Sequence, residues 1–351
     1  MNKNIKKVTM YTIADETGLS IAAVSRAFDP HSRLKPDKRQ LILDTAHRLG
    51  YVPNKMAARL SRPPMRIGVL IFGAMKDFYD GYVDGIRDAH GEYADYKVDC
   101  ELRVLDRNLY PVSEAYKVLE EFVTAGYDGV IVQGLSYVQD VPHLNRLAEA
   151  GIPLILLNSD VTGCRRAGIS TVDAEAAGRM AAQLLSIGMK TKCAASGRAA
   201  IFRSDGLNVT QKRLCESFCR YAADYGVEVV QICDTENRAE LAESTIARIL
   251  AEDPEIGGIY ISSANCVPVC RWMVEHHPAN RIALVVSDVF DAMKNYLMDG
   301  TIFSTIHQSP FMQARKAFEA MYYHIADGVE IPKQMLAQPR IVLESNLHFY
   351  K

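Results

Sequence analysis

Polar and aromatic side chains follow several short apolar segments of this chain. They comprise two aromatic rings, two carboxylates, two amides and a guanidinium: Phe78, Tyr79, Asp160, Arg213, Asn265, Asp288 and Gln308. Aromatic rings pack on the C–H face of a sugar, while the polar groups donate to and accept from hydroxyls. These residue types favour a neutral polyhydroxyl ligand, a sugar or polyol. Taken singly, Asp160 and Asp288 could instead cap helices, and Phe78 could be core.

The segments before these side chains predict strands that alternate with amphipathic helices. The strands are expected at 67–72, 100–105, 129–132, 153–157, 200–202, 227–232, 258–261, 282–286, 302–305 and 340–343. Such alternation is typical of an α/β fold with parallel sheets flanked by helices. About ten strands favour two lobes, with a ligand beyond the strand ends between them. We expect lobe 1 at about 66–170 and 306–335, and lobe 2 at about 171–305 and 336–351.

A different pattern occupies residues 1–53, which we predict to be a three-helix, helix-turn-helix head. Helices are expected at 10–17, 21–28 and 36–49, with Thr9 and Ser20 as N-caps and Gly18 in the tight turn. The second helix would enter a DNA major groove. Its exposed side would then carry Ile21, Ala22, Ala23, Ser25 and Arg26. Arg26 is the candidate reader of guanine or phosphate, against a plain surface charge.

Further polar side chains of the head could fix its position on DNA through phosphate contacts. The candidates are Thr9, Tyr11, Ser20, Ser25 and Asn54. Residues 54–65 are interpreted as a hinge helix and linker, since 54–61 is helical in pattern and Pro63-Pro64 stops it. Ala57 is small enough to let two such helices approach, and Leu60 could wedge between base pairs. The alternative is an ordinary linker.

Charge separates the two parts of the chain. Residues 1–66 carry 13 Lys and Arg against five Asp and Glu, whereas the remainder carries 27 against 37. A basic head of +8 on an acidic body of −10 favours polyanion binding at one end, although a solvated basic tail would look similar. No run of 18 apolar residues predicts a membrane span, and no apolar leader precedes the head. The expected location is the cytoplasm.

Signals for catalysis or a cofactor are weak. The segment 67–72 lacks a following G-x-G-x-x-G motif, and no phosphate-binding loop occurs. Cys215 with Cys219, and Cys266 with Cys270, are each four residues apart without further metal ligands, which favours reduced thiols. We therefore expect no enzyme activity, no cofactor and no metal. A sugar-binding receptor remains an alternative, and a nucleotide-dependent enzyme is a weaker one.

The head closely resembles the DNA-binding head and hinge of the LacI/GalR family of bacterial transcription regulators. The matching residues are Val8-Thr9, Ile13-Ala14, Gly18-Leu19-Ser20, Val24-Ser25-Arg26, Arg39, Gly50-Tyr51-Val52-Pro53-Asn54 and Ala57-Ala58-Arg59-Leu60. The resemblance implies that Ile21 and Ala22 help to choose the operator. It also implies that Leu60 is the minor-groove leucine.

Residues 66–345 are similar, more loosely, to the effector-binding part of that family and to type I periplasmic sugar-binding proteins. The matches include Ile67-Gly68-Val69-Leu70, Asp77-Phe78-Tyr79, Val286-Ser287-Asp288 and Ile306-His307-Gln308. The resemblance implies effector contacts by Arg213, Asn265 and Asp288 from lobe 2, and by Phe78 and Gln308 from lobe 1. It further implies a homodimeric transcriptional regulator, expected to be a repressor, on near-palindromic double-stranded operator DNA. The effector and its direction of action stay open.

Overall fold

The computed structural model describes residues 8–28, 32, 34–51, 64–74, 76–194, 196–263, 265–276 and 281–350, apart from the side chains of Asp77 and Phe78. The chain divides into two compact units, Met1–Arg62 and Pro63–Lys351.

Three helices make up the described part of the first unit: α1 (Met10–Thr17), α2 (Ile21–Ala27) and α3 (Pro36–Arg48). Their bounds lie within one residue of those predicted. Thr9 caps α1 through a reciprocal bond with Thr12, and Ser20 accepts from the backbone of Ala23 at the start of α2. Gly18 turns the chain with a φ of 65°, a conformation that glycine adopts without steric cost. These local signals explain why short segments form helices here.

The second unit contains twelve strands and nine longer helices in its described part. The strands are β1 (Met65–Gly73), β2 (Val98–Asp106), β3 (Gly129–Gln133), β4 (Leu154–Leu157), β5 (Gly168–Val172), β6 (Arg198–Arg203), β7 (Glu228–Asp234), β8 (Gly258–Ile261), β9 (Ala283–Ser287), β10 (Ser304–His307), β11 (Met335–Ala337) and β12 (Arg340–Val342). The helices are α4 (Lys76–Tyr93), α5 (Val112–Thr124), α6 (Val141–Glu149), α7 (Ala174–Thr191), α8 (Val209–Ala222), α9 (Ala239–Glu252), α10 (Val267–His276), α11 (Asp291–Met298) and α12 (Pro310–Asp327).

The strands form two six-stranded sheets, one for each lobe. The order is β11-β5-β4-β3-β1-β2 in lobe 1 and β12-β10-β9-β8-β6-β7 in lobe 2. Every pairing is parallel except that of β10 with β12. The chain passes between the sheets after β5, after β10 and between β11 and β12. The body is thus the predicted two-lobed α/β fold.

Each sheet is covered by helices on both faces. In lobe 1, α4 and α12 pack on one face of the sheet, while α5 and α6 pack on the other. In lobe 2, α7 and α8 cover one face, and α9, α10 and α11 cover the other. Because both faces of the central strands are buried, their sequences are continuous runs of apolar residues. None of the helices in the described ranges is long and apolar enough to cross a lipid bilayer.

Two strands, β5 and β11, were not predicted from the sequence. β5 contains Ser170 and Thr171, which are polar yet buried. Ser170 donates to the carbonyl of Gln313, and Thr171 donates to the carbonyl of Asn158, so both hydroxyls are satisfied inside the fold. β11 is only three residues long. Neither strand has the apolar run on which the prediction depended.

Candidate ligand-binding cleft

A cleft of about 580 Å³ lies between the two lobes of the second unit. It is lined by residues that follow β1 to β4 in lobe 1 and β6 to β10 in lobe 2. Because these strands are parallel within each sheet, their carboxyl ends gather at one edge. Two such edges therefore face one another across the cleft, which is the usual ligand position in open α/β folds.

Glycines admit the lining groups at the ends of β1 and β3. A Cβ on Gly73 would lie 1.8 Å from the Tyr79 ring, so only glycine lets that buried ring approach the end of β1. A Cβ on Gly134 would lie 1.7 Å from the carbonyl oxygen of Phe72, and its φ is 94°. At both positions the absence of a side chain allows the neighbouring groups of the cleft wall to pack closely.

Several non-glycine residues that line the cleft adopt left-handed backbone conformations. The φ values are 69° at Asn158, 49° at Glu236, 54° at Asn237 and 65° at Asp288. Hydrogen bonds hold two of them: Thr171 and Thr210 donate to the carbonyl of Asn158, and Thr305 donates to that of Asp288. Such conformations cost about 1–3 kcal/mol each and cluster at functional sites. The strand ends are therefore held in geometries that aim polar groups inward.

Four amide side chains that line the cleft each carry a buried polar atom with no hydrogen-bond partner. These atoms are Oε1 of Gln133, Oδ1 of Asn158, Nδ2 of Asn265 and Oε1 of Gln308. Leaving a buried polar atom unpaired costs about 1–3 kcal/mol, so native proteins satisfy nearly all of them. Their convergence on one cleft indicates a ligand that supplies the missing partners.

Asp288 lies at the base of this arrangement. Its carboxylate is 2% exposed and accepts from the backbone nitrogen of Gln308 at 2.9 Å and from Nε2 of Gln308 at 2.7 Å. Burial raises the pKa of Asp288 to about 7, and the two bonds from Gln308 oppose that rise. The carbonyl of Gln308 accepts in turn from Gln313, whose Oε1 accepts from Tyr82. A buried polar chain thus runs from lobe 2 to lobe 1.

Hydrogen bonds also join the lobes at the wall of the cleft. The hydroxyl of Tyr137 in lobe 1 donates to Asp205 in lobe 2 at 2.9 Å. Ser159 donates to Oδ1 of Asn208 at 3.1 Å. Burial, followed by the bond to Asp205, raises the pKa of Tyr137 to about 12, so this phenol stays a donor at neutral pH. These bonds connect the two walls that a ligand would contact.

The structure brings four predicted effector residues to the cleft and separates others from it. Tyr79, Asn265, Asp288 and Gln308 line the cleft. Gln308 directly follows β10 of the lobe 2 sheet, so its assignment to lobe 1 was wrong. Asp160 and Arg213 instead line a second cavity of about 390 Å³, which we call the outer cavity. Effector contacts by these two residues stay a prediction, since the structure places them beside the cleft and not in its lining. The side chain of Phe78 lies outside the described residues.

The reason for the separation is local. Asp160 stands two residues beyond the turn at Asn158 and forms an ion pair with Arg166, with Nε and Nη2 of the guanidinium each 2.6 Å from a carboxylate oxygen. Burial raises the pKa of Asp160, but the bonds and charge of Arg166 outweigh it and hold the pKa below the usual value. Arg213, one turn into α8, is exposed. The number of residues between a side chain and the end of a strand does not predict which of the two cavities that side chain lines.

The sequence interpretation did not single out Gln133, Tyr137 or Asn208, although all three line the cleft. Gln133 is the last residue of β3. Its position at the end of a strand was therefore the signal that could have identified it. Asn208 caps α8, its side chain accepting from the backbone of Gln211. Tyr137 follows the turn after β3 and carried no separate signal.

The predicted DNA-contact residues fall into three groups. Most are exposed in the first unit: Thr9, Tyr11, Ser20, Ile21, Ala22, Ser25 and Arg26. Ala23 is buried at 8% exposure, because it shares the inward stripe of α2 with Val24 and Ala27, so its assignment to the exposed side was wrong. Asn54, Ala57 and Leu60 lie outside the described residues. Arg26 donates to the carbonyl of Ala22 within its own helix.

The titratable side chains show no metal centre in the described ranges. No three His, Cys, Asp or Glu side chains there are placed to hold an ion. All eight cysteines are free thiols, and Cys215, Cys233, Cys266 and Cys270 are buried.

Comparison with known proteins gives a family and a fold. The family described as "Periplasmic binding protein domain" matches residues 67–328. Catabolite control protein A of Priestia megaterium is 30% identical over 179 residues, which cover 51% of each chain. The chain thus spans about half the length of the curated relatives it matches.

Two solved structures share the fold. GanP, a glucose-galactose binding protein from Geobacillus stearothermophilus, has a TM-score of 0.70 at 22% identity, covering 82% of this chain and 99% of GanP. AraP, an arabinose binding protein from the same organism, has a TM-score of 0.72 at 18% identity, covering 82% and 100%. These proteins are binding proteins and a control protein, which agrees with the prediction that this chain is not an enzyme.

Proposed function

Because this chain belongs to the periplasmic binding protein domain family, we propose that it binds a sugar or polyol in the cleft between its lobes. We further propose that this ligand controls sequence-specific DNA binding by the first unit. The chain would then be a ligand-regulated transcriptional regulator of the LacI/GalR type, acting in the cytoplasm as a homodimer, with a repressor as the expected form.

The observation that carries the ligand part is the set of four unpartnered amide atoms around the cleft. Hydroxyl groups both donate and accept, so a polyhydroxyl molecule can satisfy several of these atoms at once. The exposed strand-end loops and the shared fold with sugar-binding proteins support the same ligand class. Of the predicted residues, Tyr79, Asn265, Asp288 and Gln308 are the proposed contacts.

Support for the DNA part comes from the first unit. Its α2 presents Ile21, Ala22, Ser25 and Arg26 on an exposed side, while Val24 and Ala27 pack inward. A short helix with small exposed residues fits a major groove, and the excess of basic side chains in residues 1–66 favours a polyanion. The similarity to catabolite control protein A is consistent with this role. Asn54, Ala57 and Leu60 belong to the proposal as hinge contacts.

The proposed mechanism is a coupling between two binding equilibria. Two heads of a homodimer would read two half-sites, because protein symmetry matches operator symmetry. A ligand that favours one arrangement of the lobes would change DNA affinity, and DNA would change ligand affinity by the same factor. Such couplings are typically about 1–3 kcal/mol.

The decisive experiment is selection of bound sequences from random double-stranded DNA by the full chain, with and without a panel of sugars and polyols. We expect a near-palindromic motif whose recovery changes with one ligand. Arg26→Ala should weaken binding to that motif at least tenfold, about 1.4 kcal/mol, by removing its polar reader. Arg48→Ala is the matched control, since Arg48 lies on α3 and pairs with Glu16. Equal effects of the two changes would remove Arg26 as the reader.

A sugar-binding receptor without DNA binding is the second candidate, favoured by the likeness to GanP and AraP. It predicts ligand binding with no enriched DNA motif. It also predicts no retention on DNA even at low salt, whereas phosphate contacts would give retention that falls steeply with added salt.

A further inference from the structure

We infer that the ligand in the cleft is a hydroxyl-rich molecule that carries a protonated amine, an amino sugar or an aminopolyol. The inference rests on the proposed sugar or polyol function and names a narrower ligand class for the same site.

The unpartnered atoms of the cleft are unequal in kind. Three are carbonyl oxygens of amides, on Gln133, Asn158 and Gln308, and only one is a donor, on Asn265. Amide oxygens accept hydrogen bonds and cannot donate them. Acceptors therefore predominate among the fully buried unpartnered atoms, which favours a donor on the part of the ligand nearest to them. An ammonium group offers three donors and no acceptor.

The carboxylate of Asp288 adds a further acceptor at the same place. It is buried and receives bonds only from the backbone and side chain of Gln308, both neutral donors. In the described ranges, no Lys, Arg or His side chain forms an ion pair with it. A buried ionised carboxylate is costly unless it is paired. A cation from the ligand would supply that pair.

The other charged side chains of the cleft cannot take this place. Arg107 is exposed, donates to the carbonyl of Gly134 and lies 4.7 Å from the centre of the Phe72 ring. Glu236 is exposed and adds negative charge. The predicted guanidinium of Arg213 is in the outer cavity. The depth of the cleft is therefore rich in acceptors and has a negative group without a positive counterpart.

A neutral hydroxyl can donate one bond to Asp288 but leaves its charge uncompensated. An ammonium donates up to three charge-assisted bonds, which can be shared between Asp288 and neighbouring amide oxygens. The remaining hydroxyls of a sugar or polyol would serve the other unpartnered amides. The same geometry thus discriminates between molecules that differ only by an amine in place of a hydroxyl.

The test is isothermal titration of the full chain at neutral pH with matched pairs of molecules. Suitable pairs are D-glucose with D-glucosamine, D-galactose with D-galactosamine, and sorbitol with 1-amino-1-deoxysorbitol. For the pair whose stereochemistry fits, we expect the amine to bind at least tenfold more tightly than the hydroxyl compound. The N-acetyl derivative, which keeps the nitrogen but loses the charge, should lose that advantage.

Two variants assign the preference to its source. Asp288→Asn keeps the shape and removes the charge, so the affinity ratio should fall to about one. Asp224→Asn, an exposed carboxylate outside the cleft, should leave the ratio unchanged. Circular dichroism confirms folding. A wild-type ratio of one or below overturns the inference by itself, whether or not a variant folds.

The outcomes also separate the inference from the proposed function. Binding of neutral sugars or polyols without preference for the amine overturns the inference and leaves the proposed function standing. A preference that survives Asp288→Asn also overturns the inference, because the charge would then have another partner. If no member of any pair binds, both the inference and the sugar or polyol function are overturned.

Discussion

The cleft and the outer cavity are neighbours, since Thr210 lines both. The polar groups of the two cavities differ in whether they have hydrogen-bond or ion-pair partners. The cleft contains four unpartnered amide atoms and a buried carboxylate without a cation. In the outer cavity, Asp160 is paired with Arg166, and Glu175 is paired with Arg220. Unsatisfied and desolvated groups, rather than the presence of charged residues, therefore distinguish the cleft, which is the proposed ligand site, from the outer cavity.

The largest effect is expected from Asp288→Ala. The change deletes a deep acceptor of the cleft and leaves both donors of Gln308 without their partner. We expect affinity for the best ligand of the panel to fall at least 100-fold, about 2.7 kcal/mol, since lost charged hydrogen bonds and stranded donors add together. Titration calorimetry measures it. An unchanged affinity would mean that the cleft is not the ligand site. Unpartnered polar groups would then not distinguish a ligand site from the outer cavity.

A second prediction concerns stability and pH. The folded-state pKa of Asp288, about 7, lies above its ordinary value of 3.8, so the folded state holds this proton more tightly than the unfolded state. The contribution of Asp288 to stability is thus most favourable below pH 4, falls as the pH rises to 7, and stays low above it. The groups on other elements that lie near the Asp288 carboxyl group are those of Gln308, Tyr82 and Tyr260.

Asp288→Asn removes this titration. Without ligand, its stability relative to wild type should be roughly 4 kcal/mol higher at pH 8 than at pH 4, because the pKa is raised by about three units and each unit corresponds to about 1.4 kcal/mol. Urea unfolding followed by circular dichroism at the two pH values measures the difference. Asp160→Asn should show little change between these two pH values, since pairing lowers the pKa of that carboxyl group and its contribution to stability is lost only below about pH 4. Parallel pH profiles for the two variants would contradict the assignment.

A smaller effect is expected from Tyr137→Phe. The change removes the hydroxyl that donates to Asp205 across the lobes and keeps the ring. Because the bond is partly exposed, we expect ligand affinity to fall roughly 3- to 10-fold. The loss should appear mainly as faster dissociation in stopped-flow measurements. Tyr116→Phe, which loses a bond to Asp140 within lobe 1, is the control, and an equal loss there would remove the role of the cross-lobe bond.

The smallest effect is expected from Arg213→Ala. Arg213 is exposed in the outer cavity, so cleft affinity should change less than twofold in the same titrations. A tenfold loss would instead show that the outer cavity and the cleft act together, and that the sequence-based grouping of these residues was right in function.

Prediction from the sequence succeeded where structure is local. Thr9, Gly18, Ser20 and Pro36 act on the residues next to them, so the three helices of the first unit had clear bounds. The central strands carried apolar runs because helices cover both faces of their sheets. The polar strand β5 was missed because Ser170 and Thr171 are satisfied only by groups distant in sequence.

The chain's sequence by itself determined the alternation that gives two parallel sheets, the basic first unit, and the strand ends where Asn265, Asp288 and Gln308 stand. Only the tertiary structure decided which side chains share a cavity. It placed Asp160 and Arg213 in the outer cavity and buried Ala23, and it left a buried oxygen of Gln133 and of Asn158 without a partner at the cleft. The physical reason is that hydrogen-bond satisfaction and burial depend on groups far apart in sequence, whereas periodicity and capping depend on neighbours.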